Sequence, residues 1–170
     1  MNLRRLLPAA LAALLAGCAG YHLGPTSGDP AGSRSVQVGP FDNETKEPRI
    51  SEYLISSLRR RFQQDGTFEL VTSGTPDILV TGKIIRFERT ELSYTTNDVL
   101  TPDSYTLTLT ANVVARDPLT GKITLNRSVQ GQTYIIAGTD LSSSEREAMP
   151  NLADDLARHA VTLLVDGPWW

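Results

Sequence analysis

The sequence predicts an α+β fold, a two-layer sandwich in which a mostly antiparallel four- to five-stranded sheet has two helices packed on one face. The first observation is that the segment from residue 77 to residue 136 alternates apolar and polar residues with the period of half-buried strands. The second is that the segments before and after it repeat apolar residues with the period of an amphipathic helix. Because each helix must bury its apolar stripe, both helices are expected on the apolar face of the sheet.

The chain begins with the features of an exported protein. Arg4 and Arg5 precede an apolar run, Leu6 to Leu15, that is too short to span a bilayer. The run ends in Leu15-Ala16-Gly17-Cys18, which resembles the lipobox of bacterial lipoproteins. That resemblance implies cleavage before Cys18, diacylglycerol on its thiol and an acyl chain such as palmitate on the new amino terminus. The alternative is a plain signal peptide, which would leave a free, oxidisable thiol.

These features divide the chain into three parts. Residues 1–17 are the lipoprotein signal peptide, residues 18–34 are the lipidated cysteine with a flexible tether rich in Pro, Gly and Ser, and residues 35–170 are one domain. Enteric lipoproteins that stay in the inner membrane typically have Asp after the lipidated cysteine. Ala19 in that place therefore favours the cell outer membrane, with the domain facing the periplasm or lying inside a barrel lumen.

The composition limits the classes of function. The formal net charge is −3 at pH 7, and loss of the signal peptide removes two arginines and no acid. This acidic balance argues against a nucleic-acid binder, which usually has a basic excess. A chain of this length buries about two thirds of its unfolded surface, so it needs no disulfide or metal to hold a core.

The domain opens with a strand, a helix and a short strand. In "SVQVGPF", residues 35–41, apolar and polar residues alternate and predict the first strand. Pro48 suits the first turn of a helix, and Asp65-Gly66 predicts its end. "FELV", residues 68–71, predicts the short strand. The helix has one apolar face, formed by Ile50, Tyr53, Leu54, Ser57, Leu58 and Phe62.

Three long strands are predicted next, at residues 77–94, 105–113 and 123–136. Gly82 lies within the first of them, where glycine often marks a bulge or a bend. A polar loop is expected at residues 95–103, and a turn at residues 116–122.

A second helix closes the domain. Ser142 with Glu145, or Ser144 with Glu147, predicts its start through a capping box. Pro150 is expected to kink the helix or to begin a new segment. The predicted buried stripe consists of Met149, Leu152, Leu156, Ala160 and Leu163.

Residues suited to catalysis are sparse. His22, near the lipid anchor, and His159, on the second helix, have no metal-ligand spacing, and no nucleophile or phosphate-loop motif is present. Asp154 and Asp155 point to different sides of the helix and are interpreted as solvated charges. Glu88 and Glu91 lie in an arginine-rich strand, so they are interpreted as partners in surface ion pairs and not as a catalytic acid–base pair. The sequence therefore predicts no enzyme, no cofactor and no metal site.

Three features favour binding instead. The first is the threonine-rich face of the central strand, which docks a partner or simply reflects the strand preference of threonine. The second is Trp169-Trp170, which packs on the domain or clamps a partner or a membrane interface. The third is a basic set on strands expected to be neighbours, suited to phosphates or else an ordinary solvated face: Lys83, Arg86, Arg89, Lys122 and Arg127.

Short motifs along the mature chain resemble the LptE family of lipopolysaccharide-assembly lipoproteins. Tyr21-His22-Leu23 follows the lipidated cysteine, and the first strand ends in Phe41-x-Asn43-x-Thr45, as is typical of that family. The segment "TPDILVTGKI" resembles the family's next strand. The extra Ala19 and the Trp169-Trp170 pair depart from the family pattern.

The resemblance implies an outer-membrane lipoprotein, not an enzyme, that plugs the LptD β-barrel, assists its assembly and helps insert lipopolysaccharide into the outer leaflet. Its implied partners are the LptD-type barrel, lipopolysaccharide and, through the lipid anchor, the outer membrane, with no nucleic acid. The family's lipopolysaccharide contacts cannot be placed by motif. Strand pairing alone therefore assigns that contact to Arg86, Arg89, Lys122 and Arg127.

The alternative is a periplasmic lipoprotein module that regulates another envelope machine. The segment "VGPFDNETKEPRISEYLISSLRRRF" also resembles the opening of the TolB amino-terminal, CsgG and penicillin-binding-protein-activator domains. Those domains lack Tyr-His-Leu directly after the lipobox, and that motif discriminates between the two readings.

Overall fold

The computed structural model describes residues 30–95, 98–136 and 140–167. Its elements in chain order are β1 (Arg34–Asn43), α1 (Ile50–Asp65), β2 (Phe68–Leu70), β3 (Ile78–Thr95), β4 (Asp98–Arg116), β5 (Ile123–Ile136) and α2 (Leu141–Val165). The strands form one sheet in the spatial order β2-β1-β3-β4-β5. The predicted signal peptide, Cys18, His22, most of the tether and Trp169-Trp170 lie outside the described residues.

The sheet combines parallel and antiparallel ladders. β1 pairs in parallel with β2 and with β3, whereas β3, β4 and β5 pair in antiparallel order. Parallel strands need a crossover connection, and α1 provides it between β1 and β2. Most paired residues belong to the antiparallel ladders, so the predicted α+β sandwich is confirmed. The parallel part was not visible in the alternation of the sequence.

The core lies between one face of the sheet and the two helices. On β4, Leu107, Leu109 and Ala111 are fully buried, and each buried leucine stabilises the fold by about 1.5–3 kcal/mol. α1 packs against β1, β2 and α2, and α2 packs against β4 and β5. The predicted helix stripes are confirmed with one exception. Leu163 is 42% exposed, and Leu164 is buried in its place.

Gly82 allows two parts of the sheet to approach each other closely. A Cβ atom built on Gly82 would lie 2.4 Å from the carbonyl oxygen of Asn112 and 2.5 Å from Cε1 of Phe41. The ring of Phe41 therefore takes the space that a side chain at position 82 would need. The irregularity expected at Gly82 is present in the ladder with β1, where the register shifts between Val38 and Phe41, opposite Val80 and Gly82. The register with β4 also shifts farther along β3, between Ile84 and Arg86.

Two boundaries differ from the prediction. The loop expected at residues 95–103 is mostly strand, because β3 runs to Thr95 and β4 begins at Asp98. This hairpin end pairs with repeated register shifts and lacks the alternation that marks a strand in the sequence. The cap of α2 is Asp140, whose side chain accepts a hydrogen bond from the backbone N–H of Ser142, and not a serine of a capping box. Pro150 lies within this helix.

Candidate functional site

Many of the described ionisable side chains form hydrogen bonds and ion pairs that join neighbouring elements. Among them, no group of three His, Cys, Asp or Glu residues is arranged to hold a metal ion. In the same part of the chain, no helix is long and apolar enough to cross a membrane.

Several aspartates brace turns and the helix start. A backbone hydrogen bond from Ser35 lowers the pKa of Asp77, and the hydroxyl group of Thr120 lowers that of Asp117. The pKa of Asp140 is lowered mainly by the hydroxyl of Ser143. All three carboxylates are thus stabilised in their charged form, which suits a brace and not a general acid.

Asp154 and Asp155 both have partners, so their interpretation as solvated charges is wrong. Asp154 faces α1, where its carboxylate forms ion pairs with Arg60 at 2.8 Å and with Arg61. Asp155 faces β5, where its Oδ2 accepts a hydrogen bond from the backbone N–H of Gln132 at 2.9 Å. The adjacent carboxylates therefore fasten α2 to two different elements.

His159 also closes the edge of β5. Its Nδ1 lies 2.7 Å from the carbonyl oxygen of Gln130 and 3.9 Å from Oδ2 of Asp155. The ring can donate to the carbonyl when Nδ1 carries the proton. His159 is thus a hydrogen-bonded edge residue, in agreement with its interpretation as an ordinary edge residue of the helix.

The predicted basic set does not form one cluster. Arg86 pairs in register with Thr110 on the open face, whereas Arg89 pairs with Leu107 on the face that the helices cover. Arg86 is 3.6 Å from Glu88, as expected for a surface ion pair. Arg89 forms an ion pair with Glu145 of α2 and lies over the ring of Tyr105, 5.4 Å from its centre.

The other cations of the set lie elsewhere. Lys83 is on the open face and forms an ion pair with Glu44 at 2.9 Å. Lys122 belongs to the turn between β4 and β5, and its carbonyl oxygen accepts a hydrogen bond from the backbone N–H of Asp117. Arg127 pairs with Val113, so it is on the helix-side face of β5. Strand pairing therefore spreads these side chains over both faces and the turn.

Sequence reasoning missed three cations around the helix starts, Lys46, Arg49 and Arg146, which line two adjoining grooves together with the acids Glu47 and Glu145. A groove of about 340 Å³ lies between the starts of α1 and α2, where Arg49 and Arg146 line it. An adjoining groove of about 590 Å³ is lined by Lys46, Arg86 and Arg89. The residues between β1 and α1 appeared in the sequence only as a polar loop, so no periodic signal connected them with α2.

The motif at the end of β1 builds one wall of these grooves. Oδ1 of Asn43 accepts hydrogen bonds from the backbone N–H of Thr45 at 3.0 Å and from its hydroxyl at 2.7 Å. Nδ2 of Asn43 donates to the carbonyl oxygen of Glu47 at 2.7 Å. Asn43 and Thr45 thus fix the turn into α1, while Phe41 packs over Gly82. The motif Phe-x-Asn-x-Thr therefore has a structural role.

The threonine-rich face of β4 lies on the uncovered side of the sheet. Its threonines alternate with the buried leucines and are half-buried between neighbouring strands. The outward side chains of β5, such as Gln130, Gln132 and Tyr134, lie beside them and are exposed. The described chain therefore has one covered apolar face and one open polar face.

Solved structures show the same fold at low sequence identity. A protein from Xanthomonas campestris aligns with a TM-score of 0.58 and 15% identity, covering 85% of this chain and 92% of that one. A hypothetical protein from Chlamydia trachomatis aligns with a TM-score of 0.53 and 13% identity, covering 77% and 95%. A minor lipoprotein from Acinetobacter baumannii gives 0.52 and 15%, covering 78% and 94%.

Sequence comparison identifies the family directly. No curated protein sequence matches the chain. The family described as "LptE: Lipopolysaccharide-assembly" matches residues 33–164, which include every described strand and nearly all of α2. The Phe-x-Asn-x-Thr turn, the long antiparallel strands and the closing helix all lie within that match. The chain belongs to the LptE family of lipopolysaccharide-assembly proteins.

Proposed function

We propose that this chain is an outer-membrane lipoprotein that plugs an LptD-type β-barrel, assists the assembly of that barrel and helps insert lipopolysaccharide into the outer leaflet. The observation that carries the proposal is the family match, which spans the folded domain from β1 to the end of α2 almost completely. Because the match covers the whole core, it supports a role that depends on the entire folded domain and not on one short motif. The proposed role needs no catalysis.

The shape of the domain supports the role of a plug. A plug must be a rigid body, since a loose one would leave the channel open. Within the described ranges, no buried side-chain nitrogen or oxygen lacks a hydrogen-bond partner, so the packed interior is well satisfied. The exposed polar face and the capped sheet edges suit a polar lumen, which is typical of large outer-membrane barrels.

The proposed anchor is Cys18, cleaved from residues 1–17 and lipidated. Eleven residues lie between Cys18 and Pro30, the first described residue, and the twelve steps from one to the other reach about 40 Å in an extended chain. Acyl chains add about 0.8 kcal/mol for each buried CH₂ group, so several chains hold a protein on the membrane durably. This tether is long enough to let the domain enter a barrel while its lipid stays in the periplasmic leaflet.

Direct contact with lipopolysaccharide is proposed at Arg86, Arg89, Lys122 and Arg127. Arg86 and Arg89 line one groove, whereas Lys122 and Arg127 lie elsewhere, so the four cations would not form a single phosphate site. Of the two arginines of β3, Arg86 is the more available, because its side chain is 64% exposed and its acid is 3.6 Å away, whereas Arg89 is 44% exposed and pairs closely with Glu145. Charge reversal at Arg86 or Lys122 should weaken lipopolysaccharide binding modestly and leave folding intact. Unchanged binding for all four reversals would remove this assignment.

The role is tested by purifying the lipidated protein from detergent-solubilised outer membranes and identifying what accompanies it by mass spectrometry. A stoichiometric large β-barrel of the LptD type supports the proposal. A Cys18→Ala variant is the control, because it should lose the membrane anchor without changing the folded domain. A peptidoglycan synthase or a secretion channel in place of the barrel would instead favour the envelope-regulating module described above.

A further inference from the structure

The open face of the sheet is a regular lattice of side chains in five rows across β3, β4 and β5. The register places one residue of each strand in every row. From one end to the other the rows are Thr90-Thr106-Tyr134, Glu88-Thr108-Gln132, Arg86-Thr110-Gln130, Lys83-Asn112-Ser128 and Thr81-Val114-Asn126. Neighbouring strands lie about 4.8 Å apart, so the side chains of each row are close cross-strand neighbours.

Within these five rows, charge is confined to one column, and Arg116, two residues beyond Val114 on β4, lies just outside them. The β3 column contains Lys83, Arg86 and Glu88, and these pair with Glu44 or with each other. The ten positions of the β4 and β5 columns carry only hydroxyl, amide, valine and tyrosine side chains. Charged residues make up 21% of this chain, so about two charges would be expected among ten positions at that frequency. We call these ten positions the uncharged face.

Strand preference does not explain the uncharged face. Threonine favours strands, which accounts for the β4 column, but asparagine is depleted in strands, and Asn112 and Asn126 lie in this face. β5 is also an edge strand, and edge strands usually have charged side chains that prevent pairing with other chains. Here Asp155 and His159 of α2 cap that edge instead. This cap explains how the edge can do without charged side chains, but it acts on backbone groups and does not require the outward side chains of either strand to be uncharged.

We infer that the uncharged face is the surface that meets the inner wall of the partner barrel, an inference that rests on the proposed function. A charge enclosed against a wall of strands loses water and costs free energy unless a partner is placed opposite. Hydroxyl and amide groups both donate and accept hydrogen bonds, so they match the polar side chains that line a lumen. The centre of a protein interface is likewise depleted of charged residues and enriched in tyrosine.

The first test places a charge in the uncharged face. Thr110→Arg lies at its centre, and Thr162→Arg makes the same change at an exposed position of α2. We expect Thr110→Arg to lower the amount of barrel that copurifies with the full-length lipoprotein by about tenfold, equivalent to about 1.4 kcal/mol. Thr162→Arg should change it less than twofold. Equal recovery with both variants would overturn the inference.

A second test does not depend on a disruptive side chain. A photoreactive amino acid is placed singly at Thr108 and Gln132 of the uncharged face and at Glu52 and Thr162 of the helices, all in the full chain. The inference expects crosslinks to the barrel from Thr108 and Gln132. Crosslinks to the barrel from the helix positions alone would overturn it, as would crosslinks from the face to lipopolysaccharide sugars alone.

The controls separate this inference from the proposed function. If the unmodified lipoprotein copurifies no barrel, the proposed function fails, and the inference fails with it. If the unmodified protein retrieves the barrel but Thr110→Arg does so equally well, only the orientation is wrong. Thermal unfolding of Thr110→Arg, compared with Thr162→Arg, shows whether any loss of the barrel comes from unfolding. A folded Thr110→Arg protein without the barrel supports the inference.

Discussion

The two edges of the sheet are closed by different means. At the β5 edge, a whole helix lies against the strand. Asp155 of α2 accepts a hydrogen bond from the backbone N–H of Gln132, and the ring of His159 lies 2.7 Å from the carbonyl oxygen of Gln130. Gly131 lies between them, and backbone atoms of α2 occupy the space that a side chain at this position would need. Two backbone groups that an added strand would need are therefore already bonded to side chains of α2.

The opposite edge, along β1 and β2, is protected by fewer interactions. β2 pairs with β1 only between Arg34 and Val36, and the backbone N–H of Val71 bonds to the carbonyl oxygen of Val36. Farther along, one guanidinium group, that of Arg59, donates to the carbonyl oxygen of Val38 at 3.4 Å. A short strand and a single long side chain therefore protect this edge.

The difference shows that edge protection depends on how closely the second layer approaches. A long, regular edge strand such as β5 is the most exposed to pairing with other chains. The β5 edge is protected by the packing of α2, which requires glycine at position 131. The β1 edge is protected by a short strand and by the exposed side chain of Arg59, which can move. We therefore expect substitutions at the β5 edge to cost more stability than equivalent substitutions at the β1 edge.

The largest effect is expected for Gly131→Ala. The added Cβ would lie 2.4 Å from the backbone nitrogen of Leu156 and 2.8 Å from the carbonyl oxygen of Leu152. Backbone atoms of a helix cannot move singly, so α2 as a whole must shift. We expect a loss of about 2–4 kcal/mol in the free energy of unfolding, measured by urea denaturation.

Gly39→Ala in β1 is the matched control. The nearest atoms to its added Cβ belong to side chains, Cγ2 of Thr81 at 2.9 Å and Cδ1 of Leu79 at 3.3 Å. Side chains can rotate away, so we expect a change below about 1 kcal/mol. Equal losses for the two variants would show that helix contact is not what sets the sensitivity of the β5 edge.

The second effect concerns the clamp that holds α2 beside α1. Asp154 is 25% exposed and pairs with Arg60 and Arg61, so Asp154→Asn should lower the free energy of unfolding at pH 7 by about 1–2 kcal/mol. The hydrogen bond from Arg61 lowers the pKa of Asp154 below its ordinary value of 3.8. Its stabilisation is therefore fully present above that value and lost as the pH falls through the lower folded pKa.

Urea denaturation between pH 7 and pH 2.5 measures this dependence. The Asn variant should lose less stability than the wild type as the pH falls below about 4, because position 154 no longer takes up a proton. Part of the acid dependence should remain, since Asp77, Asp117 and Asp140 also have lowered pKa values. Parallel pH profiles for the two proteins would exclude Asp154 as a source of the acid sensitivity.

The sequence predicted much of the fold because its signals were local. Alternation located the middle of β3, β4 and β5, and the helical stripes located α1 and most of α2. The start of α2 was missed because Asp140, Ser142 and Ser144 are all capable caps. Which of these residues caps the helix depends on the path of the backbone into α2, and the local sequence does not determine that path.

The basic set shows what period-two reasoning can and cannot give. Arg86 and Arg89 are separated by three positions, and an odd spacing in a strand places two side chains on opposite faces. That signal was present in the sequence and would have separated the pair. Lys83 and Arg86 have the same odd spacing, yet they share the open face because the register shifts between Ile84 and Arg86. The alternation of residues along the sequence does not predict that register shift.

The third effect is expected at the cap of β5. Asp155→Ala leaves the backbone N–H of Gln132 without its carboxylate acceptor, and we expect a loss of about 1 kcal/mol in the free energy of unfolding. Asp155→Asn retains an acceptor oxygen and should lose less. Because the alanine variant frees an edge group, light scattering at high protein concentration should show more self-association for Ala than for Asn. Identical scattering would mean that the packing of α2 protects this edge without the carboxylate.

The smallest effect is expected for Arg59→Ala at the β1 edge. The hydrogen bond from Arg59 to the carbonyl oxygen of Val38 is long, at 3.4 Å, and the arginine is exposed, so water can replace it. We expect a change within about 0.5 kcal/mol in the free energy of unfolding and no increase in light scattering. A loss as large as that of Asp155→Ala would mean that β1 depends on its cap as strongly as β5 does. The two edges would then be equivalent in energy although their structures differ, and the closeness of the second layer would not decide how an edge is protected.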